Sequence, residues 1–225
     1  MSAAERKADF IASMIRQGVL RFGEFQLKSG LRSPYFFNLG NVSGGAELAE
    51  LGGFYADAIE ASGLDFDVLF GPAYKGIPIA VATAIALAQR GHSVGVAFDR
   101  KEPKAHGEGG KLIGAPLRGR VLMLDDVVSD GATKAEAAAV IEAAGAKLAG
   151  LVVALDRQEI VANGQTALER LEERLGAPVL SIAALTDVIA CFRAQEADAV
   201  SENLAALLRH QGLHCPVRIA PAGGW

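Results

Sequence analysis

The sequence predicts an α/β fold, a parallel sheet wrapped by helices with a small helix-and-hairpin unit ahead of it. Three observations carry that prediction. Short, wholly apolar runs recur from Phe66 onward, helical stretches separate them, and the first 40 residues follow a different, paired rhythm. Strands buried on both faces read as unbroken apolar runs, and strands that alternate with helices build parallel sheets.

The elements follow in order. Residues 3–17 mix charge with Ala8, Ile11, Ala12, Met14 and Ile15 at helical spacing. Residues 20–39 read as two extended segments, one carrying Phe22, Phe25 and Leu27 and the other Tyr35, Phe36 and Phe37, joined by a turn at Ser29-Gly30. A helix is expected over about 45–62. Asp67 to Phe70 forms a first buried strand, ended by Gly71-Pro72, with a long helix over about 76–90. Val94 to Phe98 is a second strand. Val121 to Leu124 is a third, ended by Asp125-Asp126, and a helix over 132–145 stops at Gly145. Leu151 to Leu155 and Val179 to Ile182 complete the set. The polar stretch 99–118 reads as one mobile loop, since long structureless loops in compact domains are usually functional or disordered. Pro216 to Trp225 reads as loosely held.

Bulk properties exclude several functions. The chain has 225 residues, 51% apolar and 21% charged, which suits one folded core. Its net charge of −4 offers no global field for nucleic acid. No apolar run approaches a membrane span, and the N-terminus carries Glu5, Arg6, Lys7 and Asp9 in place of a signal core. Cys191 and Cys215 stand alone, which disfavours structural zinc and fits free thiols in a reducing cytoplasm. His92, His210 and His214 belong to no motif and read as surface residues.

Chemistry concentrates beyond the carboxyl ends of the strands, where open parallel sheets bind ligands. Val121 to Thr133 reads VLMLDDVVSDGAT, a strand, two acids, then a small-residue loop entering a helix. Val127, Val128, Ser129, Asp130, Gly131, Ala132 and Thr133 can aim backbone N–H groups at one phosphate, with hydroxyl help from Ser129 and Thr133. Asp125 and Asp126 would repel phosphate, so their partners are hydroxyls or a metal ion, which together suggest a sugar phosphate. Both side chains are expected at a strand end, outside the core. The bland reading is a solvated loop with a helix cap at Ser129 or Asp130.

Asp99 to Gly110 reads DRKEPKAHGEGG and gathers Arg100, Lys101, Lys104 and His106 among glycines. A basic, flexible loop suits a lid over a polyanion, although a solvated charge run has the same composition. Phe70 to Pro78 reads FGPAYKGIP and sets Tyr74 and Lys75 at the start of a helix, where an anion is favoured. Phe25 to Asn38 reads FQLKSGLRSPYFFN. Phe36 and Phe37 offer either hairpin core or a stacking surface for a flat base, and Lys28 lies across the turn. Arg157, directly after the fourth strand, can pair bidentately with a carboxylate or with a local acid.

These four motifs, in order from residue 22 to residue 159, resemble those of the orotate phosphoribosyltransferases, which use 5-phosphoribosyl-1-pyrophosphate (PRPP). The resemblance implies a type I phosphoribosyltransferase fold, with residues 1–40 as a base-binding hood and 99–118 as a catalytic loop. It implies PRPP and pyrophosphate contacts from Tyr74, Lys75, Arg100, Lys101, Lys104, His106 and the segment 125–133. It implies orotate contacts from Lys28, Phe36, Phe37, Ser129 and Arg157. Lys104 leads as catalytic residue with Asp125 and Asp126. Magnesium would arrive through PRPP, with no metal ligand assigned to the protein. A cytoplasmic homodimer with shared sites, acting in pyrimidine synthesis, is also implied, as is the stand-alone form without a fused decarboxylase. The sequence departs from the family pattern in two places: Ser129 stands where threonine is usual, and Ala132 where a second threonine is common. A transferase for another base, a non-enzymatic PRPP sensor and a sugar-nucleotide binding module are the competing readings.

Overall fold

The computed structural model describes residues 2–101, 112–128, 131–195 and 201–216. Helix α1 (Ala3–Arg16) starts at a capping box in which Ser2 and Glu5 satisfy each other's backbone N–H groups. Its apolar stripe, Phe10, Ile11 and Met14, is buried. The hairpin β1 (Leu20–Gln26) and β2 (Arg32–Phe37) follows, antiparallel and joined through the expected turn. Helix α2 (Gly45–Ser62) leads into the central sheet.

That sheet has six strands in the order β10-β7-β6-β3-β4-β5. They are β3 (Val68–Gly71), β4 (Gly95–Asp99), β5 (Leu112–Gly114), β6 (Arg120–Val127), β7 (Lys147–Asp156) and β10 (Val179–Ala184). All neighbours are parallel except β4 and β5. Helices α3 (Gly76–Gln89), α4 (Ala132–Ala143), α5 (Ala167–Leu175), α6 (Leu185–Gln195) and α7 (Glu202–His214) complete the chain, with a small hairpin of β8 (Ile160–Ala162) and β9 (Gln165–Thr166). Two buried clusters cover the two faces of the sheet. One gathers side chains of α1, the hairpin, α2, α3, α6 and α7, and the other those of α4 and α5.

Three expectations need correction. The third predicted strand does not stop before the acids: β6 runs to Val127, and Asp125 pairs in register with Val153 of β7. The stretch 99–118 is not one loop. β5 pairs antiparallel with β4, and Leu117 is buried, so the described part of its second half is anchored to the sheet. A three-residue edge strand in a charged segment shows no periodicity that a sequence reading can detect. Helix α4 ends at Ala143, two residues before Gly145, which takes the left-handed conformation just beyond it (φ 78°). Most of the C-terminal segment read as loosely held, residues 217–225, lies outside the described residues.

Candidate active site

The strand order fixes where a ligand can enter. From β3 the chain crosses to β4 and β5 on one side, then returns to place β6, β7 and β10 on the other. The carboxyl ends of β3 and β6 therefore flank the switch point, where adjoining loops diverge and leave a crevice. The loop after β3 carries Tyr74 and Lys75, and the end of β6 carries Asp125 and Asp126. Gly76 lets the two come together: a Cβ there would lie 2.8 Å from the Leu124 carbonyl oxygen and 2.6 Å from the Pro72 ring. Asp99, at the end of β4, accepts a hydrogen bond from the Ala73 N–H (2.6 Å) and pins the same loop.

Across the crevice runs a row of alternating charge. Lys75 Nζ lies 2.6 Å from Asp126 Oδ2, and Lys134 Nζ lies 2.6 Å from Asp125 Oδ2 and 3.9 Å from Asp126 Oδ1. The acids were expected outside the core, but both are buried, as is Lys134. Lys134 reaches them from the first turn of α4, which begins five residues after the end of β6. Burial pushes the Asp125 carboxyl above its ordinary value; the Lys134 ammonium opposes this and the Asp126 charge adds to it. Tyr55 of α2 supports the row from below, donating its hydroxyl to the Asp125 carbonyl (2.7 Å).

Beyond the acids lies the proposed phosphate cradle. The Asp126 N–H donates to Asp125 Oδ1 (2.9 Å), and the Val127 N–H to Asp126 Oδ1 (2.7 Å). Those two donors hold the acids in place, so a phosphate must draw on N–H groups further along. Val128 is buried, and Gly131 takes the left-handed conformation (φ 74°) that turns the chain into α4. Among the described residues no acid occupies the first turn of α4, and the positive end of a helix favours an anion. Ala132 is half-buried and Thr133 exposed there. Ser129 and Asp130 lie outside the described residues.

Two members of the basic loop are described. Arg100 is half-buried, and Lys101 sets its ammonium 4.9 Å from the ring centroid of Tyr74, itself 68% exposed. The root of the loop thus sits against the Lys75 loop. Lys104 and His106 lie outside the described residues.

On the other flank, Arg157 follows β7 and is mostly buried. It donates from Nη2 to Ser33 Oγ of β2 (2.9 Å), and its guanidinium carbon lies 4.2 Å from the Tyr35 ring centroid. That contact joins the hairpin to the sheet end. Arg157 also forms a bidentate pair with Glu159, Nε to Oε2 at 3.1 Å and Nη2 to Oε1 at 2.7 Å. Of the two readings left open for Arg157, the free protein displays the pair with a local acid. The aromatic pair divides between faces, as strand alternation requires. Phe37 is buried in the core, so its ring offers no stacking surface to a base. Its N–H alternates with that of Asn38, which donates to Val19 (2.9 Å), and so faces away from β1. Phe36 is half-buried and stacks on Phe25 at 5.5 Å, with Arg21 5.8 Å from both ring centroids. Lys28 is exposed in the hairpin turn.

The sequence reading missed several participants. Lys134, Tyr55, Ser33 and Glu159 each hold a predicted residue, and Asp99 holds the backbone beside Tyr74, but each looks like ordinary surface or core in the sequence. His210 was read as a surface residue and is in fact buried, 2.7 Å from Glu159 Oε1.

Comparison with known proteins agrees with this geometry. The model of the phosphoribosyl transferase domain family matches residues 43–168, from the turn before α2 to α5. The chain is 57% identical to orotate phosphoribosyltransferase of Nitrosococcus oceani over 80% of its length and 83% of the relative's. It is 51% identical to that of Thioalkalivibrio sulfidiphilus over 89% and 94%. The crystal structure of orotate phosphoribosyltransferase from Francisella tularensis superposes with a TM-score of 0.81 at 34% identity, covering 92% of this chain and 99% of that one.

Proposed function

Because this chain belongs to the orotate phosphoribosyltransferase family, we propose the following division of labour among its residues. The chain transfers the phosphoribosyl group of PRPP to orotate, giving orotidine 5′-phosphate and pyrophosphate, a step of pyrimidine biosynthesis. The 5′-phosphate takes the amides of 128–133, the Ser129 and Thr133 hydroxyls and the positive end of α4. Asp125 and Asp126 accept the ribose hydroxyls. Pyrophosphate takes Lys75, Arg100, Lys101, Lys104 and His106, with Tyr74 at the edge of the loop. Orotate lies against the hairpin, its carboxylate on Arg157, with Lys28, Phe36, Ser129 and the main chain of Phe37 around it.

The ion pairs support one order of events. Lys75 balances Asp126 in the free protein. An incoming pyrophosphate competes for that ammonium and frees Asp126 to accept a hydroxyl. Lys134 stays with Asp125 and holds it aimed. As the C1′–pyrophosphate bond loosens, positive charge grows on the ribosyl carbon and negative charge on the leaving oxygens. Lys104 and its neighbours meet the second, and the base nitrogen attacks the first. Catalysis is positioning and electrostatic stabilisation, with no covalent enzyme intermediate.

Magnesium fits this donor set as a passenger of the substrate. Both acids already face lysines. PRPP oxygens and water would supply most ligands, with Asp125 and Asp126 beside them; when bound, the ion neutralises the pyrophosphate.

A homodimer with shared sites is part of the reading. Tyr74, Pro78, Val81 and Ile85 form an exposed stripe that starts in the Lys75 loop and runs along one face of α3. An apolar stripe that adjoins the site suits a second copy of the chain better than water. No helix among the described residues is long and apolar enough to cross a membrane, and the free thiols Cys191 and Cys215 suit the cytoplasm, where we place the protein.

The observation that carries the orotate assignment is the Arg157–Ser33 bond, which sets a buried cation between the hairpin and the acid row. The test is loss of ultraviolet absorbance with PRPP and magnesium, orotate against uracil, adenine and hypoxanthine. Orotate reacts; uracil lacks the carboxylate and leaves the free edge of Arg157 without the partner it is built to bind. Equal rates with orotate and uracil would overturn the assignment.

A further inference from the structure

Arg157 is held more elaborately than a carboxylate receptor requires. A guanidinium has two forked edges. Glu159 occupies the edge formed by Nε and Nη2. Tyr35 lies against one face at 4.2 Å. The other edge, Nη1 with the second hydrogen of Nη2, carries only the bond to Ser33, and Nη1 has no hydrogen bond among the described residues. The Ser33 hydroxyl spends its own proton on the Tyr35 carbonyl (2.8 Å). A substrate carboxylate therefore has one edge to bind, and Glu159 fixes the direction in which that edge points.

Glu159 is itself fixed from α7. His210 Nε2 meets the oxygen that also takes Arg157 Nη2, both at 2.7 Å. His210 is buried at 3% exposure, and Arg157 and Glu159 are largely so at 13% and 12%. Arg157 and Glu159 cancel. A substrate carboxylate then brings one unbalanced negative charge into a poorly solvated cluster, which is costly unless a cation answers it. His210 is the base positioned to become that cation. From β2, the Tyr35 ring meets it edge-on at 5.9 Å. On α7 the His214 ring lies 4.8 Å away. Helix α6, packed against α7, carries Asp187 paired with Lys7, the half-buried Cys191 and the exposed Arg193. Beyond Glu159 stand Asp156 and Cys215, whose thiol lies 3.8 Å from the Arg157 carbonyl. Arg157 is the one cation in that inner group, and Glu159 already neutralises it.

We propose that Glu159 and His210 are positioning residues for orotate: Glu159 orients the free edge of Arg157, and His210 takes up a proton as the orotate carboxylate binds. This rests on the assignment of Arg157 to that carboxylate. It makes orotate binding, and not PRPP binding, depend on pH through a residue of the C-terminal helix.

The test starts with the unaltered enzyme. The KM values for orotate and PRPP are measured from about pH 6 to about pH 8.5, and orotate binding is followed calorimetrically in buffers of different ionisation enthalpy. Orotate KM should rise with pH, by up to about tenfold per unit at the alkaline end, with net proton uptake on binding and no parallel change for PRPP. His210→Gln should give an orotate KM that is high and flat across the range, while His214→Gln keeps the wild-type slope. Glu159→Gln should raise orotate KM about tenfold and leave PRPP KM alone. A flat wild-type profile without proton uptake overturns the proposal, and this arm holds even if His210→Gln does not fold. Transfer of the pH effect to His214→Gln, or a lower orotate KM in Glu159→Gln, overturns it too. Arg157→Gln separates the two levels. If it leaves orotate KM unchanged, the role of Arg157 is wrong; if it raises orotate KM while Glu159→Gln and His210→Gln behave as wild type, only the positioning proposal fails.

Discussion

Lys134→Met removes the buried ammonium of the acid row while keeping most of its stem. The lysine side chain is 5% exposed and its partner Asp125 12%, at 2.6 Å. Removing one member of a buried pair costs about 3–5 kcal/mol, because the other charge stays behind unmatched. Two features set the expected value near about 3 kcal/mol, roughly a hundredfold in the folding constant. Lys75 still offsets Asp126, and Asp125, already pushed up by burial, can take a proton. The pH dependence has a definite sign. A carboxyl raised above its unfolded value costs stability as pH climbs from the unfolded to the folded value, and that cost is complete above both. Without Lys134 the folded value rises further, so the deficit grows with pH and shrinks in acid. Urea unfolding at about pH 8 and about pH 5 would measure it, with Asp125→Asn and the double variant completing a cycle. The double variant should be more stable than Lys134→Met at the higher pH. A deficit under about 1 kcal/mol, or one equal at both pH values, refutes the account of the row as a buried, mutually dependent set.

Other perturbations test other parts. Asp156 is half-buried, and desolvation pushes its carboxyl up to about 6 from 3.8; its ionisation therefore costs stability as pH rises from about 4 to about 6. Asp156→Asn should accordingly stabilise by about 1–3 kcal/mol at about pH 8, a gain that thermal or urea unfolding should show vanishing below about pH 4. Asp125→Asn combined with Asp126→Asn should raise the KM for PRPP far more than that for orotate; the reverse pattern would mean that the ribose hydroxyls bind elsewhere. Lys104→Ala should lower kcat by about 10²–10³ with KM values nearly intact, since its partner charge grows only as pyrophosphate leaves. Mixing inactive Lys104→Ala and Asp125→Asn chains should restore activity toward half per hybrid dimer, and no recovery despite proven subunit exchange rules out a lid shared between subunits.

How much of this was legible depended on what each residue does. The parallel sheet was legible because Val68 to Phe70, Val121 to Leu124 and Leu151 to Leu155 are buried on both faces and leave unbroken apolar runs. The strand β5 was not, because Leu112 to Gly114 is an edge ladder whose pairing is carried by the backbone and whose side chains are mostly outside. Lys75 and the two acids were legible, since charge at the carboxyl end of an apolar strand has no structural excuse. Their keepers were not. Lys134 sits where any surface helix carries a lysine, and Tyr55 and Ser33 matter through single contacts to segments 70 and 124 residues away. Long-range partnership leaves no local pattern, which is also why His210 passed for a surface residue. Phe36 and Phe37 show the opposite failure. The pair looked like one aromatic surface, and strand alternation sends one ring into the core.

In the free protein three ionic groups at the crevice are already matched: Asp126 by Lys75, Asp125 by Lys134, Arg157 by Glu159. Binding must therefore proceed by exchange of partners, and the groups are graded for it. Lys75 is 46% exposed, so breaking its pair returns charge to water at small cost. Lys134 and Glu159 are buried and would leave an unmatched charge if they moved. Under the proposed assignments, the partner that yields faces the leaving pyrophosphate, and the partners that hold face the ribose and the base. The same loop that must grip and release the product is thus attached by the weakest of the three pairs. Substituting Lys75 should disturb turnover with little loss of stability, whereas substituting Lys134 should disturb stability first.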